Sequence, residues 1–285
     1  MIINGLRDVR RARFWRQFAT HAFAGIGVVA VLFGLYDVIE PNAISHIHAP
    51  VSLVVVILAA IYGGWQSWPR PIEQRYSKPN TAIRVVEGNL FEQDVNLVVG
   101  VSTSFDTEVP HVIHSESIQG QFLAVVYGHD RNALDNDLTA ALAGVKPAGQ
   151  IQKPGKTVTY PIGTVATIRQ HRRHFFCVAY SSMDARNQAH ATIDGLWQSL
   201  TNLWEEVRAR SNGEPVATPI IGGGLSRISQ ILPAQDSVRF IALSFMLASR
   251  YAKVCDRLDI VVRSEDAANL DMLELQSFLR SLQEY

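Results

Sequence analysis

Two stretches near the start of the chain hold no formally charged side chain: positions 17–36, QFATHAFAGIGVVAVLFGLY, and positions 49–68, APVSLVVVILAAIYGGWQSW. About 20 residues rising ~1.5 Å each cross a hydrocarbon core of ~30 Å, so each stretch predicts a membrane-spanning helix. A buried helix of a soluble core is usually shorter and shows a polar stripe, which both stretches lack. Beyond a linker punctuated by Pro69, Pro71 and Pro79 the period changes. Short apolar runs starting at Ile83, Val95, Val158, His174, Pro215 and Leu258 read as strands, and positions 187–210, 233–251 and 267–282 read as helices. Asp184 and Asn187 are cap candidates for the first of these helices, and Pro233 suits a first helical turn. The alternation predicts an α/β domain with a central mixed, mostly parallel sheet covered by helices. The organisation read here is a basic segment, membrane hairpin and linker over 1–78, and an α/β domain over 79–285.

Charge orients the hairpin. Arg7, Arg10, Arg11, Arg13 and Arg16 precede the first span, and Arg70, Arg75 and Lys78 follow the second. The connector carries Asp37 and Glu40 but neither Lys nor Arg, so both termini are expected in the cytoplasm. Trp15, Trp65 and Trp68 stand where aromatic anchors belong. Ala30/Gly34, Ala59/Gly63 and Ala60/Gly64 are small-xxx-small pairs of the kind that let helices approach closely. The lack of charge within the spans argues against an ion pathway or proton relay. His21 reads as interfacial, and His46 and His48 as solvated loop residues.

Composition adds exclusions. Lys and Arg number 26 against 26 Asp and Glu, which gives no electrostatic case for nucleic acid as a partner. The two cysteines, Cys177 and Cys255, form neither a CxxC pair nor a Cys/His cluster, and fit a reducing compartment without a metal. HRRH at 171–174 lies between two strand candidates and reads as a solvated turn. No Ser/His/Asp order, catalytic carboxylate pair or HExxH motif stands out, so no catalytic residue is assigned.

Ligands of parallel α/β sheets bind beyond the carboxyl ends of the strands. Two segments fit that position. In Val98–Pro110 a buried run breaks into Ser102, Thr103, Ser104, Phe105, Asp106 and Thr107. In PVATPIIGGGLSR the strand is followed by Gly222, Gly223, Gly224, Leu225, Ser226 and Arg227. Glycines can turn several N–H groups towards one anion at close range, or can simply make a tight turn. The run is not a Walker A loop, since no Gly-Lys-Ser/Thr follows, nor a dinucleotide fingerprint.

From Thr81 onwards these segments resemble a macro domain, the α/β/α module that binds ADP-ribose and its derivatives. VEGNL (86–90) stands where such domains carry Gly-Asp-Ile, VVGVSTSFD where they carry an asparagine-rich lip, and PIIGGGLSR where they wrap a diphosphate. Asn89 replaces the aspartate that holds adenine, and Ser102, Thr103 and Ser104 replace the asparagines that hydrolytic members use. The departures favour binding over ADP-ribosyl hydrolysis. A narrower resemblance, carried by Phe105-Asp106-Thr107, Ser117, Gly120-Gln121-Phe122, 160–164 (YPIGT) and Gly222–Arg227, is to the macro-like domain of Thoeris antiphage effectors of the ThsA type.

With two spans, the resemblance implies a type II effector in the bacterial inner membrane. There a TIR-domain enzyme makes an ADP-ribose-derived signal from NAD, a histidine conjugate, and its binding triggers self-association and damage to the lipid bilayer. The implied ligand set is Asn89, Leu90, Ser102–Thr107 and Gly222–Arg227, with no cofactor. Ser226 and Arg227 would contact the pyrophosphate, Arg227 otherwise being a surface residue. Asp106 would hold a ribose hydroxyl or an amino group, or else cap an Asx turn; Phe105 would stack on a ring or pack in the core. Gly163 and Thr164 read as a bend in their strand. The alternative to a binder is a membrane-tethered hydrolase of ADP-ribose conjugates.

Overall fold

Helix α1 (Ala12–Ile39) contains Phe18–Tyr36, a stretch long and apolar enough to cross a membrane. It is followed by α2 (Ala49–Ser67). Among the described residues α1 alone meets that length-and-composition test; the apolar stretch described in α2, Leu53–Trp65, is shorter. The computed structural model describes residues 12–39, 49–67, 72–221, 231–267 and 269–283, and the chain divides into two compact units, Met1–Arg70 and Pro71–Tyr285.

The two helices of the first unit pack where a small residue admits it. A Cβ on Gly63 would lie 3.1 Å from the Ala22 Cβ and 3.1 Å from the Phe18 carbonyl oxygen. The neighbouring Ala59 is buried, and of the expected small-residue pairs Ala59/Gly63 is therefore the one at the contact. Gly34 and Gly64 face open space instead. Phe23, Val31, Leu35, Leu58 and Ile61 are exposed along the same helices.

The second unit runs β1 (Ile72–Tyr76), β2 (Thr81–Glu87), β3 (Asn96–Ser102), α3 (Ile118–Tyr127), α4 (Arg131–Leu142), β4 (Gly149–Gln150) and β5 (Val158–Thr159). Then follow β6 (Val165–Gln170), β7 (Arg173–Met183), β8 (Ala189–His190), α5 (Ile193–Arg210), β9 (Val216–Pro219), α6 (Ala234–Tyr251), β10 (Arg257–Val262), α7 (Ser264–Ala267) and α8 (Met272–Ser281). The main sheet has the order β1-β2-β10-β9-β3-β7-β6, with β8 pairing the end of β7. From β2 to β7 neighbours are parallel, while β1 and β6 pair antiparallel at the two edges.

Alternation along the strands feeds two cores. Leu97, Val99 and Val101 of β3, with Phe175, Cys177 and Ala179 of β7, face Phe122 of α3 and Leu134, Leu138 and Leu142 of α4. Val98, Phe176 and Val178 point the other way, to Leu200 and Trp204 of α5, Ile241 and Phe245 of α6, and Leu275 and Leu279 of α8. Period two in the strands and i, i+4, i+8 spacing in α4 place these contacts.

Several boundaries differ from the sequence reading, each for a local reason. β1 occupies part of the expected linker, because Ile72 and Tyr76 are buried and Tyr76 donates a 2.7 Å hydrogen bond to the Leu279 carbonyl. The expected strand from Val158 breaks into β5 and β6. Between them Thr164 N–H bonds the Pro161 carbonyl and Gly163, at φ 84°, takes a left-handed turn. Helix α5 starts at Ile193 behind Thr192, whose hydroxyl accepts from Gly195 N–H. Asp184 accepts instead from the Arg186 and Gln188 N–H groups and tightens the β7–β8 hairpin. The helix expected over 267–282 starts at Met272, where Asp271 accepts from the Leu273 and Glu274 N–H groups. Of HRRH, His171 and Arg172 form the exposed turn that joins β6 to β7, while Arg173 and His174 are half-buried and pair with β6 as the start of β7.

Candidate functional site

Since β2, β10, β9 and β3 are parallel, their carboxyl ends open onto one edge of the sheet. Asn89 follows β2 there, Thr103–Thr107 follow β3, and Ile221 follows β9. Gly222, Gly223, Gly224, Leu225, Ser226 and Arg227 lie outside the described residues. The sheet thus brings together the described members of the expected set.

Asn89 is an exposed turn residue. Its Oδ1 accepts from Phe91 N–H at 3.0 Å and its carbonyl accepts from the Gln93 side chain at 3.1 Å, while Leu90 is buried in the core beneath. At the end of β3 the register against β7 shifts between Val101 and Ser102, and Thr103 N–H reaches the Ser181 carbonyl at 2.8 Å. Phe105 N–H then bonds the Ser102 carbonyl at 3.0 Å, closing a turn with Phe105 at φ 48°. A left-handed non-glycine residue costs about 1–2 kcal/mol. Burial of the Phe105 ring, edge-on to Tyr160 at 5.6 Å, offsets it by about 1.5–3 kcal/mol. Of the two roles open to Phe105, core packing is the one seen.

Asp106 is held by protein groups. Its side chain is fully buried and both oxygens are engaged by protein groups. Oδ1 accepts from Lys156 N–H at 2.7 Å. Oδ2 accepts from Lys153 Nζ at 2.8 Å and from Ser104 Oγ at 2.5 Å, and Ser102 Oγ continues the chain 3.1 Å from Ser104 Oγ. The carboxylate therefore ties the β3 loop to a segment 47 residues downstream in the chain, rather than capping an Asx turn. Beside it Thr107 Oγ1 donates to Asp135 at 2.7 Å, and Lys156 Nζ meets the same carboxylate at 2.5 Å. Partial burial alone would raise the Asp135 pKa. Hydrogen bonds from Lys156 and Thr107 and the nearby Arg131 charge outweigh it, leaving the group below the usual carboxylate range.

The resemblance motif Gly120-Gln121-Phe122 opens α3 and explains the glycine. Ser117 caps the helix by accepting from Gly120 N–H at 3.0 Å and donating to the His114 carbonyl at 2.6 Å. The Gln119 amide donates to the Asp106 carbonyl, so the helix start also fixes the β3 loop. A Cβ on Gly120 would lie 2.4 Å from the His114 carbonyl oxygen and 2.7 Å from that of Ser115. Gly120→Ala should therefore cost about 1–3 kcal/mol by overpacking against backbone that cannot rotate away. A denaturation midpoint equal to wild type would show that the 114–115 turn yields freely.

Lys153, Lys156, Gly155, Asp135 and Gln119 were not among the residues singled out from the sequence. The available signal was the turn dipeptide Pro154-Gly155 flanked by two lysines, which marks a hairpin tip but not its docking place. Among the described residues no group of three or more His, Cys, Asp or Glu side chains could hold a metal ion.

Strands that deliver their loops to one edge, with helices on both faces, define an α/β/α module. The description "Thoeris protein ThsA, Macro domain" matches residues 83–263, and the chain belongs to that family. Thoeris protein ThsA of Bacillus amyloliquefaciens (strain Y2) is similar at 23% identity over 203 residues, 69% of this chain and 67% of that protein. Among solved structures, the Oceanobacillus iheyensis macrodomain with ADP is similar at TM-score 0.47 and 12% identity, covering 76% of this chain and 97% of that one. The Trypanosoma brucei macrodomain in complex with ADP-ribose is similar at TM-score 0.45 and 9% identity, covering 70% and 71%.

Proposed function

We propose that this protein is a membrane-anchored antiphage effector whose macro domain binds an ADP-ribose-derived signal. The observation that carries the reading is a ThsA macro domain over 83–263 in a chain whose α1 contains a stretch, Phe18–Tyr36, apolar enough to cross a membrane. The uncharged segment at 49–68 completes a two-pass anchor in the bacterial inner membrane, with both termini cytoplasmic by the arginine placement. The signal is a histidine conjugate of ADP-ribose supplied by a TIR-domain partner. It sits at the sheet edge between Asn89–Leu90, the Ser102–Thr107 loop and Gly222–Arg227, with the pyrophosphate on the glycine backbone.

Binding in place of hydrolysis is supported by Ser102, Thr103 and Ser104, which stand where the resemblance places the asparagines of hydrolytic members. Signal binding then drives self-association, which concentrates hairpins in one patch of bilayer and disrupts it. A clean switch requires the ligand to prefer the assembled state by about 10⁴-fold.

The test is calorimetric titration of the full chain in detergent micelles with ADP-ribose and with its histidine conjugate, followed by mass measurement at saturation. We expect tighter binding of the conjugate and a rise in mass. The absence of heat with both ligands would refute the binding reading, and heat without a mass change would refute the assembly step. Release of free ADP-ribose from the conjugate on prolonged incubation would move the assignment to the hydrolase.

A further inference from the structure

The hairpin β4–β5 is held to the rest of the domain in an unusual way. Ala148 N–H bonds the Thr159 carbonyl and Ile151 N–H the Thr157 carbonyl, so the hairpin is internally paired. From Ala143 to Tyr160 no residue is buried as a whole. Yet the Lys153 side chain at its tip has 0% exposure, as does the Asp106 side chain it meets. An otherwise exposed hairpin thus inserts one ammonium group into the domain beneath the β3 loop. Two of the three protein groups on the Asp106 carboxylate, Lys153 Nζ and Lys156 N–H, come from this hairpin tip.

We infer that residues 148–160 form a lid over the carboxyl end of β3, latched by the Asp106–Lys153 pair, and that an anionic ligand at this edge releases the latch by taking Lys153. The inference rests on the proposed ligand-binding reading for its trigger; the latch itself stands on the contacts of Asp106 with Lys153 and Lys156.

The physical argument has three steps. A segment that buries little apolar surface, here chiefly the partly buried Tyr160 at its end, opens locally at low cost unless polar contacts hold it. The contacts here are the desolvated Asp106–Lys153 pair with its attendant hydrogen bonds, the half-exposed Lys156–Asp135 pair and the Tyr160 N–H bond to the Thr103 carbonyl at 2.9 Å. Of these, the first leaves a buried, unpaired charge when either partner is lost. A pyrophosphate is a stronger partner for Lys153 than one carboxylate already shared with Ser104. Once Lys153 turns to the ligand, Asp106 must be hydrated, and the hairpin has to lift to admit water. The two pairings exclude each other, which makes the element bistable.

Gly155 supplies a way to open the lid without removing a charge. It sits at φ 85°, and a Cβ there would lie 2.4 Å from Asp106 Oδ1. The test is hydrogen–deuterium exchange on the full chain in micelles, for wild type, Lys153→Met and Gly155→Ala, comparing the 148–160 segment with β3 and β7. We expect exchange in 148–160 to rise at least about tenfold in both variants while β3 and β7 stay protected. Unchanged exchange in 148–160 in both variants would overturn the latch. Exchange that rises equally in β3 and β7 would make the pair a strut of the core and overturn it as well. In wild type, saturating ADP-ribose should raise exchange in 148–160; calorimetric binding that leaves this segment unchanged overturns the trigger. No binding heat with ADP-ribose or its conjugate refutes the ligand reading alone, and the two variants still decide the latch.

Discussion

Trp204→Ala should lower the stability of the second unit, Pro71–Tyr285, by about 3–5 kcal/mol, the range for emptying a fully buried aromatic site. Trp204 has 0% exposure at the centre of α5, with its ring edge-on to Phe245 of α6 at 5.3 Å. Its indole N–H donates to Ser244 Oγ at 3.0 Å, and that hydroxyl itself donates to the Ile241 carbonyl at 2.9 Å. Truncation leaves Ser244 its own acceptor, so the loss comes almost entirely from the cavity and the missing contacts. The surrounding Leu200, Leu203, Val207 and Phe245 lie on helices pinned at several other points, so the site collapses poorly. For a unit of this size the expected drop in melting temperature is about 6–20 °C. A variant melting within a degree or two of wild type would show that α5 and α6 do not share one core.

The features of the sequence that translated into structure are those with a strong period. The stretches read as helices over 187–210 and 233–251 appear as α5 and α6, with Leu196, Leu200, Leu203 and Val207 as the buried stripe of α5, whereas α3 and α4 were not read from the sequence. Where the reading slipped, a local contact overrode composition. Ile72 and Tyr76 sit among prolines and arginines in a stretch that reads as linker, yet β1 pairs with β2 along its whole length. Asp184 is a good helix cap by residue type, but the hairpin turn at Asn187, φ 57°, claims its carboxylate.

The candidate site was legible as an address and only partly as chemistry. The family motifs pointed to the edge where the parallel strands end, because strand, then polar break, is a pattern in one dimension. That Asp106 is sealed beneath Lys153 depends on a contact between residues 47 apart in sequence, and nothing in the spacing of either segment encodes it. The same holds for Gly120. The motif flags the glycine, while the reason for it, a carbonyl 2.4 Å from where a Cβ would stand, needs the 114–115 turn in place.

Gly223→Val should weaken binding of the ADP-ribose conjugate by at least about a hundredfold, close to 2.7 kcal/mol. β9 pairs in parallel with β3 on one side and β10 on the other, and Ile221 is buried where the strand ends. The next residues in sequence are Gly222-Gly223-Gly224. A nucleotide diphosphate held by backbone N–H groups must approach the chain closely, and a β-branched side chain stands in the way of that approach. The same substitution removes left-handed backbone conformations, which a loop that points several N–H groups at one anion uses. Arg227→Lys provides a graded companion: it keeps the charge but gives up the planar fork, so a smaller loss of about tenfold is expected. Calorimetry on both variants, with exchange in β3 as the check on folding, reads the effect directly. If Gly223→Val bound the conjugate as wild type does, the glycines would be a connection only, and the pyrophosphate would have to be sought at the Asn89 side of the edge.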